Sequence, residues 1–181
     1  SDRNVKMDLR YTGILNLSNA DNIEANYSGS RKRDLRYSQG LCSSEIIDPN
    51  EESIDLLYKF YRENFERQSQ RFDIERDFFL EMINSNCFQQ LIIADVDSQP
   101  CYSAIISIAD RKCVYHFASG NHNGYKNFAS SYAIDLAIQY ALRNNCTWFN
   151  VEGVNSPLRG SFKLSYGLEL AEYHEVSMCE K

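Results

Sequence analysis

The sequence predicts a mixed α/β (α+β) fold, in which an antiparallel meander leads through a long helix into a parallel crossover, with helices flanking the sheet. Three observations carry this expectation. The β-rich runs Gln89 to Ala94, Cys101 to Ala109 and Cys113 to Ser119 are separated by the short turn segments Asp97-Ser98-Gln99-Pro100 and Asp110-Arg111-Lys112, which makes consecutive strands fold back on one another. The run from Phe128 to Leu142 puts Ala, Ile, Leu and Tyr on nearly every side of a helix, with Asp135 and Gln139 as the main polar interruptions, the pattern of a helix covered on most sides. Thr147 to Val151 is then a short apolar strand, and a strand reached through a long helix pairs most economically in parallel.

Each remaining element has a local cause. Tyr11 to Leu17 reads as a strand and the region from Ala20 to Ser38 as a polar helix. Asp48-Pro49-Asn50-Glu51 begins the next helix, with Asp48 as N-cap, Pro49 at the first helical position, where no N–H is needed, and an acid three residues after the cap. Ile54, Leu57, Tyr58, Tyr61 and Phe65 fall on one face of that helix, and Asp73 is expected to cap a second helix with Ile74, Phe78 and Met82 on its stripe. Ser156-Pro157 opens a short helix that ends before Gly167, and Glu169 to Met178 alternates as a strand.

Composition narrows the class. A chain of 181 residues with 43% hydrophobic content, 12 Tyr and 10 Phe can bury one well-packed core, so a single domain with an appendage is expected and disorder is not. The six cysteines, at 42, 87, 101, 113, 146 and 179, contain no C-x-x-C, and the three histidines form no i, i+4 pair, so a structural zinc site is not expected. Cys101 and Cys113 open strand runs, where a free thiol acts as a small hydrophobe. The pattern fits a reducing, cytoplasmic setting. No apolar run approaches 18 residues and no charged-then-apolar segment opens the chain, so neither a membrane span nor a signal peptide is expected. The net charge of -6 argues against a broad nucleic-acid surface. Residues 1 to 44 carry seven basic and five acidic side chains, whereas 45 to 181 carry twelve and twenty. The cluster Arg31, Lys32, Arg33 and Arg36 is either a solvated helix face or a phosphate-binding patch.

Two constellations carry chemistry. Ser119-Gly120-Asn121-His122-Asn123-Gly124-Tyr125-Lys126 is a glycine-containing loop that opens a helix. It is read either as a plain turn or as an anion site built on free N–H groups and the helix dipole, with Asn121, Asn123, Gly124 and Lys126 as donor-binding residues. The second is Phe149-Asn150-Val151-Glu152-Gly153-Val154-Asn155-Ser156-Pro157 followed by Arg159-Gly160-Ser161-Phe162-Lys163-Leu164-Ser165-Tyr166-Gly167. Glu152, at a strand end, is either a base for an attacking amine or a carboxylate bonded to loop amides. Arg159 is either an exposed surface residue or a bidentate holder of a phosphate or carboxylate, with Asn155 and Tyr166 as further substrate-binding candidates. Tyr166 is also read as a packing residue, and His116, mid-strand between apolar neighbours, as a satisfied core histidine.

The strand ending in Glu152-Gly153, the helix begun by Pro157 and the F-K-x-x-Y-G run from Phe162 to Gly167 resemble the Fem-type (FemABX-like) branch of the GNAT superfamily. That branch includes aminoacyltransferases that build peptidoglycan cross-bridges. The resemblance extends back to Tyr11-Thr12-Gly13-Ile14-Leu15-Asn16-Leu17-Ser18 and Ser30-Arg31-Lys32-Arg33-Asp34-Leu35-Arg36, similar to the segment ending the first of that family's two GNAT-like domains. It implies a division into residues 1–44, the end of a first domain, and 45–181, a GNAT-like acyltransferase domain. It also implies that Lys163 sits beside the acyl carbonyl, where an ammonium would stabilise the oxyanion of a tetrahedral intermediate by about 2.7 to 4 kcal/mol. GNAT enzymes that use acyl-CoA place Arg or Gln, two residues, Gly, one residue, then Gly or Ala at the phosphate loop; this chain has Asn121, Gly124 and Lys126 there. The tyrosine that such enzymes carry four residues before the later glycine is replaced by Lys163.

The leading reading is therefore an N-acyltransferase that moves an acyl or aminoacyl group from a thioester or ester donor to a small-molecule amine, with Lys163 and Glu152 catalytic. Acyl-CoA and aminoacyl-tRNA are the competing donors, no tightly bound cofactor or metal is expected, and the setting implied is bacterial cell-envelope biosynthesis. The alternative is a non-catalytic GNAT-like binding or assembly module. The tail after Met178 leaves no room for a last GNAT strand, so an unpaired edge and a homodimer that shares strands are expected.

Overall fold

The computed structural model describes residues 4–18 and 22–179. Its strands are β1 (Asn4–Asn16), β2 (Ser43–Ile47), β3 (Phe88–Ala94), β4 (Pro100–Ala109), β5 (Lys112–Gly120), β6 (Trp148–Gly153) and β7 (Glu169–Cys179). Its helices are α1 (Gly29–Gln39), α2 (Glu51–Arg67), α3 (Arg76–Leu80), α4 (His122–Lys126), α5 (Ala129–Arg143) and α6 (Pro157–Leu164). The strands form one mixed sheet in the order β2-β3-β4-β5-β6-β1-β7. The meander β3-β4-β5 is antiparallel, and α5 carries the chain across to β6, which pairs with β5 in parallel.

On the far side of the crossover the sheet continues through the first strand of the chain. Strand β1 lies between β6 and β7, antiparallel to both, and pairs with β7 along eleven residues. The start of the chain thus supplies the strand that joins β6 to β7. Nothing local in a sequence specifies such a long-range partner. The outer edge of β7 has no partner among the described residues.

Several helix starts move from their expected positions. The N-cap of α2 is Asn50, not Asp48: Asn50 Oδ1 accepts from Ser53 N–H at 2.9 Å and Ser53 Oγ accepts from Asn50 N–H at 3.0 Å. The first helical position is therefore Glu51, and Pro49 lies before the helix and not in its first turn. Asp48 instead accepts from Gln89 Nε2 at 2.7 Å. Asp73 does not cap α3; it pairs with Arg71, and Glu75 stands at the cap position. The helix runs only five residues before tightening into a 3-10 turn over Glu81–Asn84, so the 3.6-residue period lapses. Phe79 is buried while Phe78 is 45% exposed. The expected polar helix from Ala20 is a 3-10 turn over Ile23–Asn26 followed by α1, which Ser28 caps by accepting from Arg31 N–H at 3.3 Å; Ala20 itself lies outside the described residues.

The middle of the sheet is buried on both faces. On one, α5 packs over Leu91, Ile93, Ala104, Ile106, Phe149 and Val151, and α1 packs against α5. On the other, Ile54 and Leu57 of α2 and Phe79 of α3 cover Ile105. Ile105 alternates with Ala104 and Ile106 across the sheet, as the two-residue strand period requires. Burying a side chain such as Phe149 or Ile105 contributes about 1.5–3 kcal/mol relative to leaving it exposed. These two layers hold the middle of the sheet rigid where β5 and β6 part.

Candidate active site at the split between two strands

The parallel ladder joins only Lys112 to Trp148, Cys113 to Phe149 and Val114 to Asn150, although β5 continues to Gly120 and β6 to Gly153. Past that point the strands separate and a cleft of about 550 Å³ opens, with Tyr61, Arg67, Tyr115, His116, Arg159 and Lys163 on its walls.

Both strands bulge at the split. On β5, Tyr115 opposes Ile106 and Ala118 opposes Ala104, so His116 and Phe117 together face one β4 residue. On β6, Asn150 opposes Ile14 and Gly153 opposes Thr12, so Val151 and Glu152 together face Gly13. A bulge bends its strand and re-aims the extra side chain. Glu152 takes up the bend with φ +55, an uncommon conformation for a non-glycine residue. Asn150 pins it: its Oδ1 accepts from Glu152 N–H at 2.6 Å and from Thr12 Oγ1 at 2.6 Å. The two bulged side chains then meet, His116 Nδ1 lying 2.7 Å from Glu152 Oε1, while His116 Nε2 lies 2.7 Å from Ser107 Oγ. His116 is bonded on both ring nitrogens, as a core histidine would be, yet it lines the cleft.

Lys163 comes from α6. Gly160 lets that helix lie close on the preceding turn, since a Cβ there would stand 2.5 Å from the Val154 carbonyl oxygen. Lys163 Nζ donates to Val151 O at 2.6 Å and Gly153 O at 3.2 Å. These carbonyls belong to β6 beyond the end of the parallel ladder. An ammonium has three N–H donors, so one is left over for a ligand. Burial lowers the Lys163 pKa; the Glu152 charge opposes that shift and the Arg159 charge adds to it.

The other expected site residues divide. Arg159 is exposed, lines the cleft and has no acidic partner among the described residues. Asn155 is exposed, but its Oδ1 accepts from the Tyr11 N–H at 2.8 Å and it is not among the cleft residues. Tyr166 is fully buried, donates its hydroxyl to Ser131 O at 2.8 Å and packs edge-on to Tyr27; it is a core residue and does not reach the cleft. In the loop, Asn121 Oδ1 accepts from Gly124 N–H at 3.0 Å, which uses the donor an anion would need. Gly124 is packed on the Cys101 carbonyl, Asn123 Nδ2 lies 3.4 Å from Asp95 Oδ2, and Lys126 is exposed. None of these four lines the cleft, whereas Tyr125 of the same turn and Ser130 in the first turn of α5 do.

Arg67, Asn64 and Gln68, at the end of α2, complete the wall and had no sequence signal beyond their helix. Asn64 Oδ1 accepts from Arg67 Nη2 at 2.7 Å and from Gln68 Nε2 at 2.9 Å, and the Arg67 guanidinium lies 5.0 Å from the Tyr125 ring centre, a cation–π contact that holds it in place. Tyr61 OH accepts from Ala118 N–H at 2.9 Å, and burial pushes its pKa up to about 12, so its own proton remains available to a ligand. Arg67, Arg159 and Lys163 thus share a cleft whose described lining contains no Asp or Glu, in a chain of net charge -6.

The model of the FemAB family matches residues 62–174. A crystal structure of FemX superposes with a TM-score of 0.73 at 10% identity, over 91% of this chain and 61% of its own. The structure of L-PGS from Bacillus licheniformis gives 0.67 at 14%, over 95% and 62%. A predicted acetyltransferase from Clostridium acetobutylicum, solved with acetyl-CoA, gives 0.54 at 15%, over 71% and 90%. At these identities the likeness is one of fold, and it is the GNAT-like mixed sheet expected from the sequence. The chain spans about three fifths of the length of the first two structures. No curated protein matches the sequence.

Proposed function

The chain belongs to the FemAB family, and from that premise we propose that it is an N-acyltransferase, moving an acyl or aminoacyl group from an activated thioester or ester to an amine. The observation that carries the reading is the position of Lys163, held by two β6 carbonyls at the point where β5 and β6 separate. A donor carbonyl in the split would receive the remaining N–H of Lys163, and the charge that develops on its oxygen would meet a fixed ammonium in a partly desolvated site. Attack by an amine also requires a group to take its proton; Glu152 is not among the residues lining the cleft but is bonded to one of them, His116, and is the carboxylate proposed for that step. Arg67 and Arg159 suit a substrate bearing a phosphate or carboxylate, since a guanidinium binds such groups through paired N–H donors.

Acyl-CoA and aminoacyl-tRNA both meet these demands as donors. The acetyl-CoA in the Clostridium structure supports the first, and the aminoacyltransferases among Fem-type proteins suit the second. Titrations at two salt concentrations separate them, because affinity for tRNA falls steeply with salt. Residues 1–44 are, in the same proposal, the end of a first GNAT-like domain whose strand β1 is built into the sheet of residues 45–181. The free edge of β7 suits a homodimer, which the mass of the protein in solution tests. No helix among the described residues is long and apolar enough to cross a membrane, and a cytoplasmic place in cell-envelope synthesis is the setting proposed.

The test of the activity is turnover of Lys163→Ala with each donor class and a panel of amines. A loss of about 100-fold or more in kcat is expected, the range for removing one well-placed oxyanion donor. Turnover unchanged in Lys163→Ala would remove Lys163 from the chemistry, and no turnover in the parent with any donor would return the chain to the alternative of a binding or assembly module.

A further inference from the structure

We propose that His116 and Ser107 are positioning residues for Glu152, a fixed hydrogen-bonded chain that presents one carboxylate oxygen to the acceptor amine; this rests on the transferase reading above. The three side chains come from three strands: Ser107 on β4, His116 on the β5 bulge and Glu152 on the β6 bulge. Both contacts measure 2.7 Å, short for bonds to a ring nitrogen. The imidazole is further held by Phe117, stacked at 6.3 Å, and by the edge of Phe88 at 5.6 Å.

This arrangement selects one tautomer. A carboxylate only accepts, so His116 Nδ1 carries a proton and donates to Glu152 Oε1; in the neutral ring Nε2 is then the acceptor, and Ser107 donates its Oγ–H. Glu152 Oε2 has no hydrogen-bond partner among the described residues, and the side chain is 43% exposed. One oxygen is anchored and the other is open. Lys163 Nζ holds the carbonyls of Val151 and Gly153, the two residues that flank Glu152.

The step balances as follows. The neutral amine nitrogen attacks the donor carbonyl; as the C–N bond forms, Oε2 takes a proton from nitrogen. The C–S or C–O bond to the donor then breaks, and that proton goes to the departing thiolate or alkoxide. His116 keeps its own proton throughout and fixes the direction of Oε2. The chain of bonds lies beyond Val114 and Asn150, where β5 and β6 have stopped pairing. This chain of bonds has no local signature, since the pairing depends on two bulges that bring residues 36 apart into contact.

Two measurements decide it. The first needs no substrate: a 15N–1H correlation spectrum of the His116 ring is expected to show Nδ1 protonated, and Glu152→Gln is expected to disturb that assignment. The second is kinetic. His116→Leu is expected to lower kcat by about 10- to 100-fold, a part of what a positioned base contributes, with KM within about threefold and the thermal midpoint retained. His116→Asn, whose amide N–H replaces the Nδ1 donor, is expected to recover most of the loss, and Ser107→Ala to lower kcat less than His116→Leu. A ring protonated at Nε2 alone, or His116→Leu with kcat within twofold of the parent, would overturn the positioning role while leaving the Lys163 test standing. Absence of turnover in the parent with every donor would overturn both.

Discussion

Replacing Gly124 by Ala tests how the turn before α5 is held against the sheet. Gly124 lies in α4 with helical backbone, so alanine suits its conformation. By itself the change would stabilise by about 0.4–1 kcal/mol, because it restricts the unfolded chain. The obstacle is space. The added Cβ would stand 2.2 Å from the Cys101 carbonyl oxygen and 2.9 Å from its carbon, where ordinary contact begins at 3.4 Å. Both atoms are backbone of a central strand and cannot rotate away, so α4 must withdraw. The same Cys101 oxygen accepts from Asn121 N–H at 3.0 Å, and withdrawal stretches that bond as well. Overpacking of this kind costs about 1–3 kcal/mol, and a weakened hydrogen bond adds about 1 kcal/mol. After the entropic gain, a net loss of about 2 kcal/mol is expected, a fall of roughly 4–8 °C in Tm for a chain of this size. Differential scanning calorimetry reads it, with Gly29→Ala as the control, since a Cβ at Gly29 meets nothing within 4 Å. A Gly124→Ala protein whose Tm matches that of Gly29→Ala would refute the tight seat of α4 on β4.

Three further outcomes are expected. Because burial lowers the Lys163 pKa and the ammonium is the acting form, the rate should fall on the alkaline side below the ordinary lysine value of 10.5; Lys163→Arg should move that limb upward in a pH–rate profile, and an unmoved limb would remove Lys163 from the titration. Tyr166→Phe deletes the donor to the buried Ser131 carbonyl, so urea unfolding should report a loss of about 1–3 kcal/mol with KM unchanged, whereas a raised KM at full stability would give Tyr166 a place in the cleft. Asn50→Ala should cost about 1 kcal/mol by removing the cap of α2, and Asp48→Ala within about 0.5 kcal/mol of nothing; the reverse ranking in urea melts would restore Asp48 as the cap.

The meander, α5 and the crossover were legible because each is declared by its own residues: β-branched runs, short turns and a helix apolar on most sides. What depends on pairing across the chain was not. Strand β2 is short, and Ser43, Ser44 and Glu45 are exposed, so it lacks an apolar signature. The first strand is longer than Tyr11 to Leu17 suggests, because its leading half alternates polar and apolar residues on the ribbon with β7, where Met7 and Leu9 remain exposed. Of the site, Lys163 and Arg159 stood out as residues of a motif and both line the cleft. Gly124 stood out for a phosphate-loop reason, but the structure gives it a packing one. His116 was hidden by its apolar neighbours, since strand alternation assigns faces only where no bulge intervenes.

The placement of a donor carbonyl against Lys163 is tested most directly by a crystal structure with an unreactive donor, either a ketone analogue of acetyl-CoA or an amide-linked aminoacyl-adenosine. The expected result is the analogue's carbonyl oxygen in the split between β5 and β6, within about 3.2 Å of Lys163 Nζ, with its phosphate or ribose end toward Arg67 or Arg159. An analogue bound with its carbonyl remote from Lys163, outside that split, would contradict the assignment of this cleft as the acyl-transfer site.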